Sequence, residues 1–169
     1  GKDNKLMVDS NQVWSVNETI EYIDQLKQFD IMFYEEPTSP DDIIGFRKIK
    51  DAHPNIKLAT GEMIQNKVIF KQFIENKSLD YCQIDSCRIA SINEILPVLL
   101  IASKFNTPVI PHAGGIGLCE YVQHLNLINK FIITNNDLSL SEYAESCSEH
   151  FDNPAIIKGG GYVTPTNPG

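Results

Sequence analysis

Acidic and imidazole side chains recur in this sequence at a nearly constant interval. Asp9 follows Leu6-Met7-Val8, Glu35 and Glu36 follow Phe33-Tyr34, and Glu62 follows Ala59-Thr60-Gly61. Asp85 then follows Gln83-Ile84, and His112 follows Ile110-Pro111. The steps from Asp9 to Glu35, Glu62, Asp85 and His112 are 26, 27, 23 and 27 residues. Three carboxylates at equivalent positions offer hard oxygen ligands, a set suited to octahedral Mg²⁺ with water and substrate oxygens completing the shell. An imidazole whose ordinary pKa is ~6.5 can give or take a proton near neutral pH. Singly, each residue has a plainer explanation. Asp9 can cap a turn, Glu62 can be a solvated loop acid, Asp85 can be an N-cap, and a lone His112 is more often structural than catalytic. One shared period favours a common site. Only one of Glu35 and Glu36 can face that site, because strand side chains alternate, and spacing does not say which. His53, His124 and His150 break the register and are expected to be structural or solvated.

The elements that must carry these residues alternate. Short apolar runs at Leu6–Val8, Ile31–Tyr34, Ile56–Ala59, Leu79–Ile84, Pro108–Ile110 and Phe131–Ile133 make six candidate strands. Between them Val16, Ile20, Ile23, Leu26 and Phe29 recur every three or four residues. So do Val68, Ile69, Phe73 and Ile74, and then Ile92, Ile95, Leu99 and Ala102, as on one face of a helix. Ser15 with Glu18 and Ser91 with Glu94 fit capping boxes, and Ser39-Pro40 places a cap before a first-turn proline. Pro97 should kink its helix unless it lies in the first turns. Strict β-then-α alternation with short loops predicts right-handed βαβ units and a parallel sheet. In a (β/α)8 barrel the strand ends ring one mouth, whereas an open doubly wound sheet would spread the same residues along an edge. The fold expected is therefore a partial TIM-type barrel over residues 1–158, with a loose tail at 159–169.

The 169 residues are 42% hydrophobic and 21% charged, enough for a sizeable core. A net charge of -8 and a pI near 4.9 argue against binding nucleic acid or an anionic membrane surface. No apolar run approaches the ~20 residues of a membrane span, and the first residues hold neither Met nor a signal-peptide core. The chain is expected to be soluble and to start within a longer gene. Cys82, Cys87, Cys119 and Cys147 show no CxxC spacing, which predicts reduced thiols in a cytoplasmic compartment.

Asp9-Ser10-Asn11-Gln12, Tyr34-Glu35-Glu36-Pro37-Thr38, Thr60-Gly61-Glu62, Gln83-Ile84-Asp85 and Pro111-His112 together resemble the enolase superfamily, mandelate racemase subgroup. Within it, the segments 35–42, 83–88 and 111–120 resemble L-fuconate dehydratases. The resemblance runs from about Lys5 to Phe151. It implies that Asp9, Glu35 and Glu62 bind Mg²⁺, that Asp85 orients His112 in a catalytic dyad, and that Asn11 and Glu142 lie at the substrate. It places the six units as strands three to eight of the family barrel. The implied activity is Mg²⁺-dependent dehydration of a small sugar acid, L-fuconate, to a 2-keto-3-deoxy product.

Such chemistry removes the proton next to a carboxylate. It creates an enediolate whose negative oxygens the site must stabilise, and then expels the neighbouring hydroxyl with help from an acid such as His112. The family's base is a lysine in a Lys-x-Lys motif on the strand ahead of the Asp9 strand. Lys2 and Lys5 do not stand in for it, and the family's N-terminal capping domain has no counterpart here. The chain alone is expected to bind metal poorly and turn over little. Two alternatives accompany this reading. One is another acid-sugar dehydratase or racemase of the subgroup; the other is an inactive partial barrel that pairs its open sheet edge with another chain. A homo-oligomeric full-length form is a further expectation.

Overall fold

The computed structural model describes residues 4–134 and 140–167; Lys2 lies outside them. In chain order the elements are β1 (Leu6–Asp9), α1 (Val16–Leu26), β2 (Ile31–Glu35), α2 (Ile43–Ala52), β3 (Leu58–Thr60) and α3 (Lys67–Glu75). They continue with β4 (Tyr81–Cys82), α4 (Ile92–Lys104), α5 (Leu118–Ile128), and a short antiparallel hairpin of β5 (Ile157–Lys158) and β6 (Gly161–Tyr162).

β1 to β4 form one parallel sheet in simple sequence order, with Asp9 paired to Glu35 and Glu35 to Ala59. Each crossover carries one helix. Stepwise order without a reversal is the arrangement of a barrel wall and not of a doubly wound sheet. The Pro108–Ile110 run continues the order as a single parallel bridge, Cys82 to Val109. Ile110 N donates to Cys82 O at 2.9 Å, and His112 N donates to Ile84 O at 3.0 Å.

Alternation along each strand divides the core into two layers. Tyr34, Leu58, Cys82 and Val109 face the helices and pack with Ile23, Phe46, Phe70, Phe73, Ile95 and Leu99. Their neighbours Phe33, Ala59 and Ile110 pack on the opposite face with Tyr81. By the same two-residue period, Glu35, Gly61, Gln83 and His112 lie beyond that inner layer at the strand ends. β2, β3 and β4 are covered on both faces, as a parallel barrel wall requires, whereas β1 leaves Leu6 and Met7 exposed.

The helix starts agree only in part with the sequence. Ser15 and Glu18 form the full capping box, each satisfying the other's backbone N–H. The second expected box does not form: Ser91 has φ 85° and makes no capping bond, while Glu94 instead takes the Lys67 ammonium at 2.7 Å and its backbone N–H at 3.2 Å. α2 is capped by Asp42, whose side chain accepts from Gly45 N at 2.8 Å; Ser39 serves only as a turn acceptor for Asp42 N. Pro97 lies within α4, past its first turn. α3 buries Phe70, Phe73 and Ile74 and leaves Val68 exposed, so its apolar face is rotated from the one expected.

The sixth expected strand is absent. Asn129–Thr134 extends α5 as a π-helical segment, with Phe131 and Ile132 exposed. A three-residue apolar run suits either structure, and continuity with the preceding helix decides it. The 159–169 segment, expected as a loose tail, contributes β6 to the terminal hairpin. All four cysteines are thiols, with Cys82 and Cys119 buried. No helix among the described residues is long and apolar enough to cross a membrane.

Candidate active site

The ends of five successive strand positions bring the site together. Asp85, almost wholly buried, sits in a tight turn where its Oδ1 accepts from the backbone N–H groups of Cys87 at 2.6 Å and Arg88 at 2.9 Å. Its Oδ2 stands 2.6 Å from His112 Nδ1. On the other side of the imidazole, Nε2 lies 3.3 Å from Glu62 Oε2. One ring is thus held between two carboxylates from different strand ends. Glu142 reaches the same place from the irregular segment after α5. Its Oε2 accepts from Ala113 N at 2.7 Å, and Tyr162 on β6 donates to its backbone carbonyl at 2.6 Å.

Gly114 stands over the imidazole: a Cβ built there would lie 2.6 Å from His112 Nε2, so only glycine leaves that nitrogen uncovered. Gly61 has φ 147°, and a Cβ on it would meet the Gln83 carbonyl oxygen at 2.5 Å. Close approach of these two backbones brings Glu62 and Gln83 to adjacent places at the mouth.

The electrostatics sort these groups. Burial lowers the His112 pKa, but the Asp85 hydrogen bond and the charges of Glu62, Glu142 and Asp85 outweigh it and raise the value to about 9. Burial works against ionisation of Asp85, yet its bonds to His112, Cys87 and Arg88 hold its pKa below the ordinary carboxylate value. The pair is an imidazolium against a carboxylate at neutral pH. Glu35 is raised to about 7, mainly by burial and further by Asp9, Glu142 and Glu62, with a hydrogen bond from Gln83 opposing. Burial also raises Glu62, aided by Asp9, Glu142 and Asp85 and opposed by His112. Glu36 rises to about 7 for the same leading reason.

Asp9, Glu35, Glu62, Asp85, His112 and Glu142 therefore share one electrostatic neighbourhood. The three carboxylates expected as metal ligands are not, however, drawn into a cage. Among the described residues no three or more His, Cys, Asp or Glu side chains are grouped to hold a metal ion as they stand. Asp9 uses both oxygens locally, accepting from Asn11 N at 2.8 Å and Asn11 Nδ2 at 2.9 Å, and Glu62 leans on His112. The donor set still fits a hard divalent cation. Asp9 and Glu35 are direct register partners, all three are oxygen donors, and the mutual repulsion that raises Glu35 and Glu62 is what a cation would relieve.

By strand alternation Glu35 falls on the face of the inner layer, while Glu36 is buried with its carboxyl bonded to Gln12 Nε2 and within the field of Glu62, Asp9 and Glu35. Asn11 stands beside Asp9. Of the remaining histidines, His53 is buried with Nε2 3.1 Å from the Ile20 carbonyl, a structural role. Gln83 is a site residue that spacing alone passed over. It is buried and its side chain acts on Glu35, lowering that carboxyl's pKa against the effect of burial, and counting back two residues from Asp85 along the strand would have found it.

A parallel, stepwise β/α wall with acids and one imidazole at its strand ends defines a TIM-barrel type of α/β domain. The sequence matches the enolase C-terminal domain-like family over residues 1–169, and the chain belongs to that family. It is 51% identical over 170 residues to L-galactonate dehydratase of Hypocrea jecorina, covering 99% of this chain and 38% of that protein. The crystal structure of human mitochondrial enolase superfamily member 1 superposes with a TM-score of 0.96 at 46% identity, over 100% of this chain and 39% of that one. Rhamnonate dehydratase from Gibberella zeae, complexed with Mg, gives a TM-score of 0.73 at 34% identity over 85% of this chain and 33% of that one. The chain thus spans about two fifths of the length of the relatives it matches.

Proposed function

We propose that this chain forms the acid-bearing part of a Mg²⁺-dependent sugar-acid dehydratase. The observation that carries the reading is the His112 imidazolium, bonded to Asp85 and standing at the same mouth as Asp9, Glu35 and Glu62. The dehydratases among the relatives, one of them complexed with Mg, support it.

In this reading Asp9, Glu35 and Glu62 hold the metal. When bound, Mg²⁺ offsets the negative charge that develops on the substrate carboxylate as its neighbouring proton leaves. Asp85 fixes the imidazole with Nδ1–H inward, so Nε2–H is the proton available to substrate. His112 gives that proton to the departing 3-hydroxyl, which leaves as water, and the remaining enol becomes a 2-keto-3-deoxy acid. Glu142 and Asn11 lie where substrate hydroxyls would be bound. The base that takes the α-proton comes, on the resemblance, from a Lys-x-Lys strand ahead of β1; Lys5 is exposed and precedes β1 directly.

The substrate is L-fuconate on the resemblance of segments 35–42, 83–88 and 111–120. The 51% identical L-galactonate dehydratase favours L-galactonate as the second reading. The two acids share configuration from C2 to C5 and differ only by the 6-hydroxyl, so one arrangement at C2 and C3 serves both. The full-length protein with Mg²⁺ should convert one of them to a keto acid detectable as its semicarbazone. His112→Asn should lose dehydration and keep metal binding. No keto product from either acid, or from a wider panel of sugar acids, would overturn the dehydratase reading.

A further inference from the structure

We propose that Glu36 is a positioning residue for Asp9: its buried carboxyl grips Gln12 and so fixes the turn that presents Asp9 opposite Glu35. The inference rests on the metal reading above.

Asp9 needs such a device because of where it sits. β1 pairs with β2 alone among the described strands, so one side of Asp9's backbone has no strand neighbour. Immediately after it the chain turns through two successive left-handed residues, Asn11 at φ 46° and Gln12 at φ 66°. Neither is glycine, and such backbone persists only where its surroundings over-determine it.

The surroundings that do so belong almost entirely to Glu36 and its neighbour. Gln12 N donates to the Glu36 carbonyl at 2.7 Å, and Gln12 Nε2 donates to Glu36 Oε2 at 2.7 Å. Ser10 Oγ contacts the carbonyls of Glu35 and Glu36 at 3.3 Å each, and Ser10 N donates to the Glu35 carbonyl at 3.2 Å. A line of bonds therefore runs from Glu36 through Gln12 and the turn to Asn11, whose N–H and amide hold the two Asp9 oxygens.

Glu36 itself is a poor choice for stability. It is 1% exposed, its Oε1 has no hydrogen-bond partner among the described residues, and its own φ is 39°. A buried carboxyl with an orphan oxygen on a left-handed residue destabilises the fold. An apolar side chain would fill the niche at lower cost but could not accept from Gln12. The bond to the turn is what the carboxyl provides. It joins the two strand ends that carry register-paired acids.

The test measures metal affinity, using Mn²⁺ as an EPR-visible probe, on the full-length protein and on Glu36→Ala, Glu36→Gln, Gln12→Ala and the Glu36→Ala/Gln12→Ala double variant. Thermal unfolding of each variant is followed in parallel. Loss of an outer-shell partner weakens metal binding by about 10- to 100-fold. Glu36→Ala and Gln12→Ala should each show that loss, and the double variant should be no weaker than the weaker single one, because both remove the same bond. Glu36→Gln keeps a carbonyl acceptor for Gln12 Nε2 and should bind within about threefold of the parent. That rescue separates positioning from a general loss of packing.

Folded Glu36→Ala and Gln12→Ala proteins that bind Mn²⁺ like the parent would overturn the inference, as would a Glu36→Gln variant as weak as Glu36→Ala. If Glu36→Ala does not fold, the half-buried Gln12 and the Glu36→Gln variant decide the matter. Failure of the parent itself to bind Mn²⁺ would instead overturn the metal reading, and this inference with it.

Discussion

Replacing Asp85 with Asn tests the dyad most directly. The carboxylate accepts two backbone N–H bonds on Oδ1 and faces His112 Nδ1 with Oδ2. An amide keeps a carbonyl for the two N–H groups and must then turn its NH₂ toward the ring. A donor facing Nδ1 favours the neutral ring protonated on Nε2, the opposite of what Asp85 selects. The size of the effect follows from the ring's displacement. A pKa of about 9 against 6.5 is ~3 kcal/mol of preference for the imidazolium, shared among Asp85, Glu62 and Glu142 and working against burial.

Removing the hydrogen-bonding carboxylate and its charge should bring the His112 pKa well below 9 in magnesium-free buffer, with Glu62 and Glu142 still holding it up against burial. Imidazole ¹H–¹⁵N NMR titration reads this without any turnover. The same shift has a stability sign. Because the folded pKa is raised, His112 stabilises the fold fully below about 6.5, and that contribution is lost as pH rises through about 9. Asp85→Asn should flatten that part of the urea-unfolding profile. A His112 that still titrates near 9 in Asp85→Asn would refute the reasoning.

Gly61→Ala should destabilise by ~2 kcal/mol or more in urea unfolding, because φ 147° and a 2.5 Å approach to the Gln83 carbonyl are both closed to a Cβ. Ser15→Ala should cost about 1 kcal/mol through its lost cap. Ser91→Gly, at φ 85° with no capping bond, should stabilise by about 0.4–1 kcal/mol, and both can be read from thermal melts. Metal affinity should fall by up to about tenfold per pH unit below about 7, where Glu35 takes up a proton, and level off above it; calorimetry at pH 5.5 and 8 measures this.

How far the site could be read from the sequence depended on how each residue reaches it. Asp9, Glu35, Glu62, Asp85 and His112 arrive on successive βα units, so their interval in the chain maps onto neighbouring strand ends in space. Glu36 and Gln83 share that register but act sideways, one on a turn and one on a neighbouring carboxylate, and spacing does not encode such bonds. Glu142 comes in on an irregular segment and owes its place to Ala113 N and Tyr162, contacts without a periodic signature. The sixth strand failed for a different reason. Phe131–Ile133 has the composition of a strand, but it continues a helix, and tertiary continuity overrode local pattern. The Ser91 box failed because Glu94 had a stronger partner in Lys67, 27 residues away.

The one-sided pairing of β1 carries a consequence for energetics at a distance. Among the described strands, Glu35 stands on one clasped on both edges, whereas Asp9 stands on one clasped by β2 alone. The entropy of ordering therefore falls unequally on the two acids, and mostly on the Asp9 end. Whatever pairs with the outer edge of β1 lowers that entropy in advance, so strand pairing and cation binding reinforce each other through a shared rigid element. Sheet completion is in this sense an effector of the site, acting along the backbone without touching a ligand.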